Sequence, residues 1–186
     1  GPEMAFLPSL PAEAKMPDVQ AAFDDPLALQ REFANRVMTG PSALSLGDRE
    51  LIAAFVSHHN ACQYCFGVHE QVAANHGVSP DLLKAVAQDP ETAPVEARWK
   101  PLFRYLAKVT TEPSKVVQRD VDAVLDAGWD ERTLFDALMV CCYYNFLNRM
   151  VDGCGVRADG DYFAVAGERL AERGRASAAQ EGRGAA

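Results

Sequence analysis

Cys62 and Cys65 are separated by Gln63 and Tyr64, and His69 follows Cys65 by four residues. On an ideal helix these three positions stand at i, i+3 and i+7, within an arc of about 60° at roughly 100° per residue. Two cysteines so spaced can close a reversible disulfide, and a place near a helix N-terminus favours the thiolate through partial positive charge and free amide hydrogens. A histidine one turn beyond Cys65 can take its proton, directly or through water, as covalent catalysis by a weak thiol acid requires. All four histidines, His58, His59, His69 and His76, fall within nineteen residues around the pair. The same cluster could offer nitrogen and thiolate ligands to zinc, but ligands strung along one rigid helix encircle a tetrahedral ion poorly. No metal and no other cofactor is therefore expected. The remaining cysteines, Cys141, Cys142 and Cys154, read as small buried apolar residues.

The elements that must carry these side chains read as helices throughout. Asp24-Asp25-Pro26 opens a first helix with Leu27, Gln30, Phe33, Ala34, Val37 and Met38 in register, and Gly40-Pro41 ends it. A second helix, capped near Asp48, carries Leu51, Ile52, Ala54, Phe55 and Val56; Glu50 near its start reads, by itself, as solvated helix-start charge. The cysteine-bearing helix runs from Asn60 or Ala61 to Asn75, and periodicity leaves open whether His58 to Cys62 is continuous helix or a tight junction. Ser79-Pro80-Asp81 starts a short helix that stops near Asp89-Pro90. Residues 94–108 form another, with Pro101 marking its start or a kink, and Pro113 to Ala127 a further one. Asp130 precedes the longest apolar helix, ended by Gly153-Cys154-Gly155, which belongs in the centre or at a subunit interface. Asp159-Gly160-Asp161 reads as a turn. No segment alternates with period two, so the fold class is all-α.

A chain of 186 residues can bury a substantial core. Its domain organisation reads as an N-terminal arm over residues 1–23, one helical domain over 24–167, and a flexible tail over 168–186 that is poor in large apolar residues. Gly1-Pro2 ahead of Met4 looks like a protease-cleavage scar. The formal charge of -8 is spread along the chain, without the basic groove that a nucleic acid needs. No apolar run reaches membrane-spanning length. With no secretory signal read and an unpaired cysteine count, the expected place is the cytoplasm.

The run Ser57-His58-His59-Asn60-Ala61-Cys62-Gln63-Tyr64-Cys65-Phe66-Gly67-Val68-His69, with Glu50 before it, resembles the carboxymuconolactone decarboxylase-like superfamily, in particular its alkylhydroperoxidase D-like, peroxidase-related branch. A second stretch, Cys142-Tyr143-Tyr144-Asn145-Phe146-Leu147-Asn148-Arg149-Met150-Val151-Asp152-Gly153, resembles another characteristic segment of the peroxidase-related members. The likeness extends from the helix near residue 26 to Gly155. It implies an orthogonal helical bundle of about seven or eight helices and a homotrimer, or a homohexamer built from trimers. It also implies a hydroperoxide reductase in which Cys65 is the peroxidatic cysteine, Cys62 the resolving one, and His69 with Glu50 the proton-handling pair. An external dithiol, a lipoyl-bearing adaptor or a thioredoxin-like protein, would reset the pair. Tyr64 stands where the alkylhydroperoxidase D-like pattern carries histidine, which removes a second proton carrier.

The decarboxylase branch generally lacks this cysteine pair, so lactone chemistry is the weaker enzymatic alternative. The others are a general dithiol oxidoreductase and an oligomeric scaffold, with or without zinc. Val56, Phe66, Val68, Val72, Trp99, Phe103, Leu106, Leu138, Phe146 and Leu147 are the expected core or interface residues. A substrate pocket is expected beside Cys65, His69 and Glu50.

Overall fold

The computed structural model describes residues 26–158 and 160–184. Among the described residues there are eight α-helices, one short 3-10 turn and no strand. The helices are α1 (Pro26–Thr39), α2 (Leu46–His59), α3 (Gln63–Asn75), α4 (Pro80–Gln88) and α5 (Trp99–Thr111). After the 3-10 turn Pro113–Lys115 come α6 (Gln118–Asp126), α7 (Glu131–Gly153) and α8 (Gly160–Gly184). The all-helical reading holds; the arm expected at residues 1–23 lies outside the described residues.

The chain divides into two units at residue 36. The first contributes the opening of α1, where Pro26 sits in the first turn and Arg36 pairs with Glu32 at 2.9 Å, one turn back. The second, residues 37–186, holds everything that bears on the chemistry.

Its centre is α2. Ser45 and Asp48 close a capping box: the Asp48 amide donates to Ser45 Oγ (3.1 Å) and the Ser45 amide donates to Asp48 Oδ2 (2.9 Å). The cap is thus Ser45, three residues before the Asp48 expected from the sequence, because a serine hydroxyl can serve the third helical amide while the aspartate serves the cap's own. From Arg49 to Ser57 every residue is buried. A helix apolar nearly all round must be enclosed, and α2 is, with α3, α4, α5 and α7 packed around it. Arg49 survives there by donating to the carbonyls of Val37, Gly40 and Leu44. On the α5 side Phe55 meets Phe103 with ring centroids 4.7 Å apart, and Phe103 stacks on Trp99 at 5.4 Å. Pro101 falls in the first turn of α5, where a missing amide hydrogen costs least.

Val56, Val68, Val72, Trp99, Phe103 and Leu106 are buried as expected. Phe66 of α3 is half-buried; on α7 Leu138 and Leu147 are half-buried and Phe146 is 52% exposed, because that helix turns only one side inward. Leu134, Ala137, Val140, Cys141, Tyr144 and Asn148 are buried, whereas Phe135, Cys142, Phe146 and Met150 line its outer side. Of the three cysteines read as buried, only Cys141 is; Cys142 lies on that outer side and Cys154 is the exposed C-cap of α7.

Helix continues through residues 168–184, the segment read as a tail, and Gly160 and Asp161 open that helix rather than a turn. Small residues explain how α8 seats on α3. A Cβ on Gly67 would fall 2.7 Å from the Phe163 ring, and one on Gly167 would fall 2.4 Å from Gln71 Cβ. Both positions need glycine for the helices to approach this closely. Ala171 is then fully buried with Val68 and Val72, flanked by Tyr64, Phe163 and Leu170.

Candidate functional site

The junction between α2 and α3 places the first cysteine. The Ala61 amide donates to the His58 carbonyl (2.9 Å) and the Cys62 amide to the Ser57 carbonyl (2.9 Å), the paired bonds of a Schellman motif. Its left-handed position is occupied by Ala61 at φ 54°, where glycine is usual. The junction is therefore tight. Cys62, extended at φ -79° and ψ 93°, is at once the residue that closes α2 and the N-cap of α3. Its side chain caps no amide, and it stands at the positive end of the helix.

Cys65 lies one turn into α3. Cys62 is fully buried and Cys65 4% exposed; both are free thiols. Burial pushes the Cys65 thiol up to about 12, and its hydrogen bond with Cys62 acts in the same direction, while a hydrogen bond from Asn148 opposes them. Desolvation disfavours the thiolate, and a donor aimed at sulfur restores part of the loss.

His69, a further turn along the same face, meets Glu50 of α2. Its Nδ1 lies 2.5 Å from Glu50 Oε2, and both side chains are 12% exposed. With Nδ1–H donated to the carboxylate, Nε2 keeps a lone pair for a proton. Tyr144 of α7 closes this side, its ring edge-on to His69 with centroids 4.4 Å apart. Burial raises the Tyr144 phenol well above its ordinary range, and the nearby Glu50, Tyr143 and Cys65 add to this.

The structure thus brings Glu50 to His69 and Cys62 to Cys65, and Tyr144 of α7 borders both pairs, its ring against His69 and its phenol within electrostatic reach of Glu50 and Cys65. Of the other histidines, His76 lies within electrostatic reach of Glu50, which opposes the lowering that burial imposes on it. His59 Nδ1 is 3.1 Å from the Phe55 carbonyl, His58 packs against Phe66, and His76 caps the C-terminus of α3. Tyr64 turns to α8, its hydroxyl 2.8 Å from that of Tyr162. Burial, then the bond with Tyr162, pushes Tyr64 up to about 12. Among the described residues no three His, Cys, Asp or Glu side chains are grouped to hold a metal ion.

Sequence reading missed the polar side chains behind Cys65: Ser57, Asn60, Asn145, Asn148 and Tyr144. Asn60 Nδ2 donates to Asn148 Oδ1 (2.9 Å) and Asn145 Oδ1 (3.1 Å), and Asn148 Nδ2 donates to Ser57 Oγ (3.0 Å). The available signal was two asparagines, Asn145 and Asn148, inside an apolar helix, where amides persist only when they find partners.

The profile of the Carboxymuconolactone decarboxylase family matches residues 25–100, a span that includes Glu50, Cys62, Cys65 and His69. An uncharacterized peroxidase-related protein from Silicibacter sp. TM1040 is 26% identical with a TM-score of 0.69, over 74% of this chain and 72% of that one. A second structure, described as an alkylhydroperoxidase AhpD core, is an uncharacterized peroxidase-related protein from Ralstonia eutropha JMP134. It is 23% identical with a TM-score of 0.71, over 80% of this chain and 78% of that one, and shows the shared fold. No curated protein matches the chain.

Proposed function

We propose that this carboxymuconolactone decarboxylase-like chain, similar to peroxidase-related proteins, is a thiol-dependent alkyl hydroperoxide reductase. The observation that carries the reading is the 2.5 Å Glu50–His69 contact one turn beyond a buried cysteine pair. A carboxylate-oriented imidazole one helical turn from a desolvated thiol is the kind of base a buried nucleophile needs to lose its proton.

In the proposed cycle His69 Nε2 takes the Cys65 proton. The thiolate attacks the terminal oxygen of a hydroperoxide: a sulfur–oxygen bond forms, the oxygen–oxygen bond breaks, and the leaving alkoxide takes a proton to depart as alcohol. Cys65 is then a sulfenic acid. The Cys62 sulfur displaces its hydroxyl, water leaves, and a Cys62–Cys65 disulfide forms. An external dithiol, on a lipoyl-bearing adaptor or a thioredoxin-like protein, reduces it by exchange and becomes a disulfide itself. Cys65 keeps slight exposure while Cys62 has none, which favours Cys65 as the sulfur that meets peroxide.

The outer side of α7 supports a homotrimeric or homohexameric assembly, since Phe135 and Phe146, each 52% exposed, lie on one helix with Met150. Among the described residues no helix is long and apolar enough to cross a membrane, and the proposed place of action is the cytoplasm.

Intact-mass analysis of the reduced protein after one equivalent of alkyl hydroperoxide tests the cycle. Wild type should lose one pair of hydrogens, mapped to Cys62–Cys65, and Cys62→Ser should trap a sulfenic acid on Cys65. A reduced pair that stays unmodified by every hydroperoxide tried would overturn the reading.

A further inference from the structure

The amides behind Cys65 can be oriented by counting hydrogens. Ser57 has one hydroxyl hydrogen and gives it to the Ala53 carbonyl at 2.8 Å, so towards Asn148 its oxygen only accepts. The Asn148 atom 3.0 Å from Ser57 Oγ must then be the nitrogen. Thr110 repeats the device. Its hydroxyl hydrogen goes to the Leu106 carbonyl at 2.8 Å, so the Asn145 atom 3.1 Å away must be nitrogen too. Arg149, a donor only, meets the other end of the Asn145 amide at 2.9 Å and confirms it as oxygen. Both asparagines therefore turn their oxygens to Asn60, whose single NH2 group supplies both. Each hydroxyl is spent on a carbonyl one turn back in its own helix, and each fixes an amide in one orientation.

One hydrogen is left over. Asn148, 1% exposed, gives one N–H to Ser57 and has its oxygen engaged by Asn60, which leaves one N–H for the Cys65 sulfur, whose ionisation the Asn148 amide favours. A donor locked towards sulfur stabilises the thiolate and cannot flip to present the carbonyl oxygen. We propose that Asn148 is the fixed hydrogen-bond donor to the Cys65 thiolate, and that Ser57 and Asn60 are positioning residues that hold its amide in that sense. The assignment rests on the reading of Cys65 as the attacking sulfur.

The experiment measures the rate of iodoacetamide alkylation at Cys65 in the reduced full chain between pH 6 and 10, on the limb where the rate rises with the thiolate fraction. Peptide mapping by mass identifies the site, for wild type, Asn148→Leu and Ser57→Ala. The other ionisable groups facing this sulfur are Cys62 and Tyr64 of α3 and Tyr144 and Asp152 of α7. With the Glu50–His69 pair, which lies against Tyr144, they are common to all three proteins. Asn148→Leu should displace that limb to higher pH and slow alkylation at pH 8 by about tenfold or more, the effect of one lost bond to a charged group. Ser57→Ala, which unlocks the amide while keeping it, should displace the limb in the same direction by less, and it carries the test if Asn148→Leu does not fold. A folded Asn148→Leu, or failing that a folded Ser57→Ala, with the wild-type profile overturns the assignment. Alkylation needs no peroxide, so a shifted profile in a protein inert to hydroperoxide would sink the peroxidase reading alone.

Discussion

Two buried thiols in this protein look alike and differ in what surrounds them. Cys65 and Cys141 are both nearly or fully buried, and the ionisation of each is favoured by an asparagine amide of α7, Asn148 for the first and Asn145, 3.5 Å from the sulfur, for the second. Burial pushes both up, Cys65 to about 12 and Cys141 to about 11. Around Cys141 the remaining partners are the Thr110 hydroxyl at 3.4 Å and the Leu106 carbonyl at 3.7 Å. Neither can accept and hold a proton near neutral pH. Around Cys65 stand a second thiol and, one turn on, an imidazole tied to a carboxylate. Burial and an amide donor thus make a well-held thiol; a base and a resolving partner are what turn one into a candidate nucleophile.

Replacing the base's carboxylate should break that contrast with the largest effect. Glu50→Gln keeps the shape but no longer fixes which imidazole nitrogen carries the hydrogen. The second-order rate of Cys65 oxidation by alkyl hydroperoxide should fall about a hundredfold, within the range general-base catalysis spans. Cys141→Ser should leave that rate within about a factor of two, as expected of a side chain that does not touch the reacting atoms. Stopped-flow or quenched mass measurements of both variants decide it, and equal losses would mean that Cys141 belongs to the chemistry.

Alkaline unfolding compares the same two thiols without any substrate. A thiol whose folded pKa lies above its ordinary 9.0 holds its proton more tightly in the native state. Its contribution is fully present below about pH 9 and is lost as pH rises through about 11 for Cys141 and about 12 for Cys65. Urea melts at pH 8 and pH 10.5 should show wild type losing stability between the two, and Cys65→Ser and Cys141→Ser each losing less. A serine variant that loses as much as wild type would show that its thiol is not the group resisting ionisation.

The sequence made one half of this contrast legible. The spacing of Cys62, Cys65 and His69 places three groups on one helical face before any fold is known, and capping signals at Ser79 and Asp130 mark helix starts that the structure keeps. The other half depends on neighbours distant in sequence. Asn60 meets Asn148 across 88 positions and Ser57 meets Asn148 across 91, pairings that no local period encodes. Glu50 is intermediate: its place near a helix start reads as solvated charge, and only the burial of α2 turns it towards His69. The seating of α8 was hidden for a different reason. Gly67, Gly167 and Ala171 stabilise contact by being small, and a pattern read from large apolar side chains passes over them.

The smallest predicted effect concerns the turn that sets Cys62 apart from every other cysteine here. Ala61 holds a left-handed backbone, φ 54°, on an exposed residue, a conformation that costs an L-residue about 1–2 kcal/mol and glycine almost nothing. Ala61→Gly removes that strain and also adds freedom to the unfolded chain, a loss of about 0.4–1 kcal/mol. The net gain should be about 1 kcal/mol or less, read as a higher urea midpoint at unchanged slope. Because the two Schellman hydrogen bonds are backbone bonds and survive the change, Cys62 should remain the N-cap of α3, and disulfide formation after peroxide should proceed at the wild-type rate. Slower closure in a more stable Ala61→Gly protein would mean that the alanine's stiffness, and not the hydrogen bonds of the turn, keeps Cys62 within reach of Cys65, and would move the contrast between the two thiols from the base to the backbone.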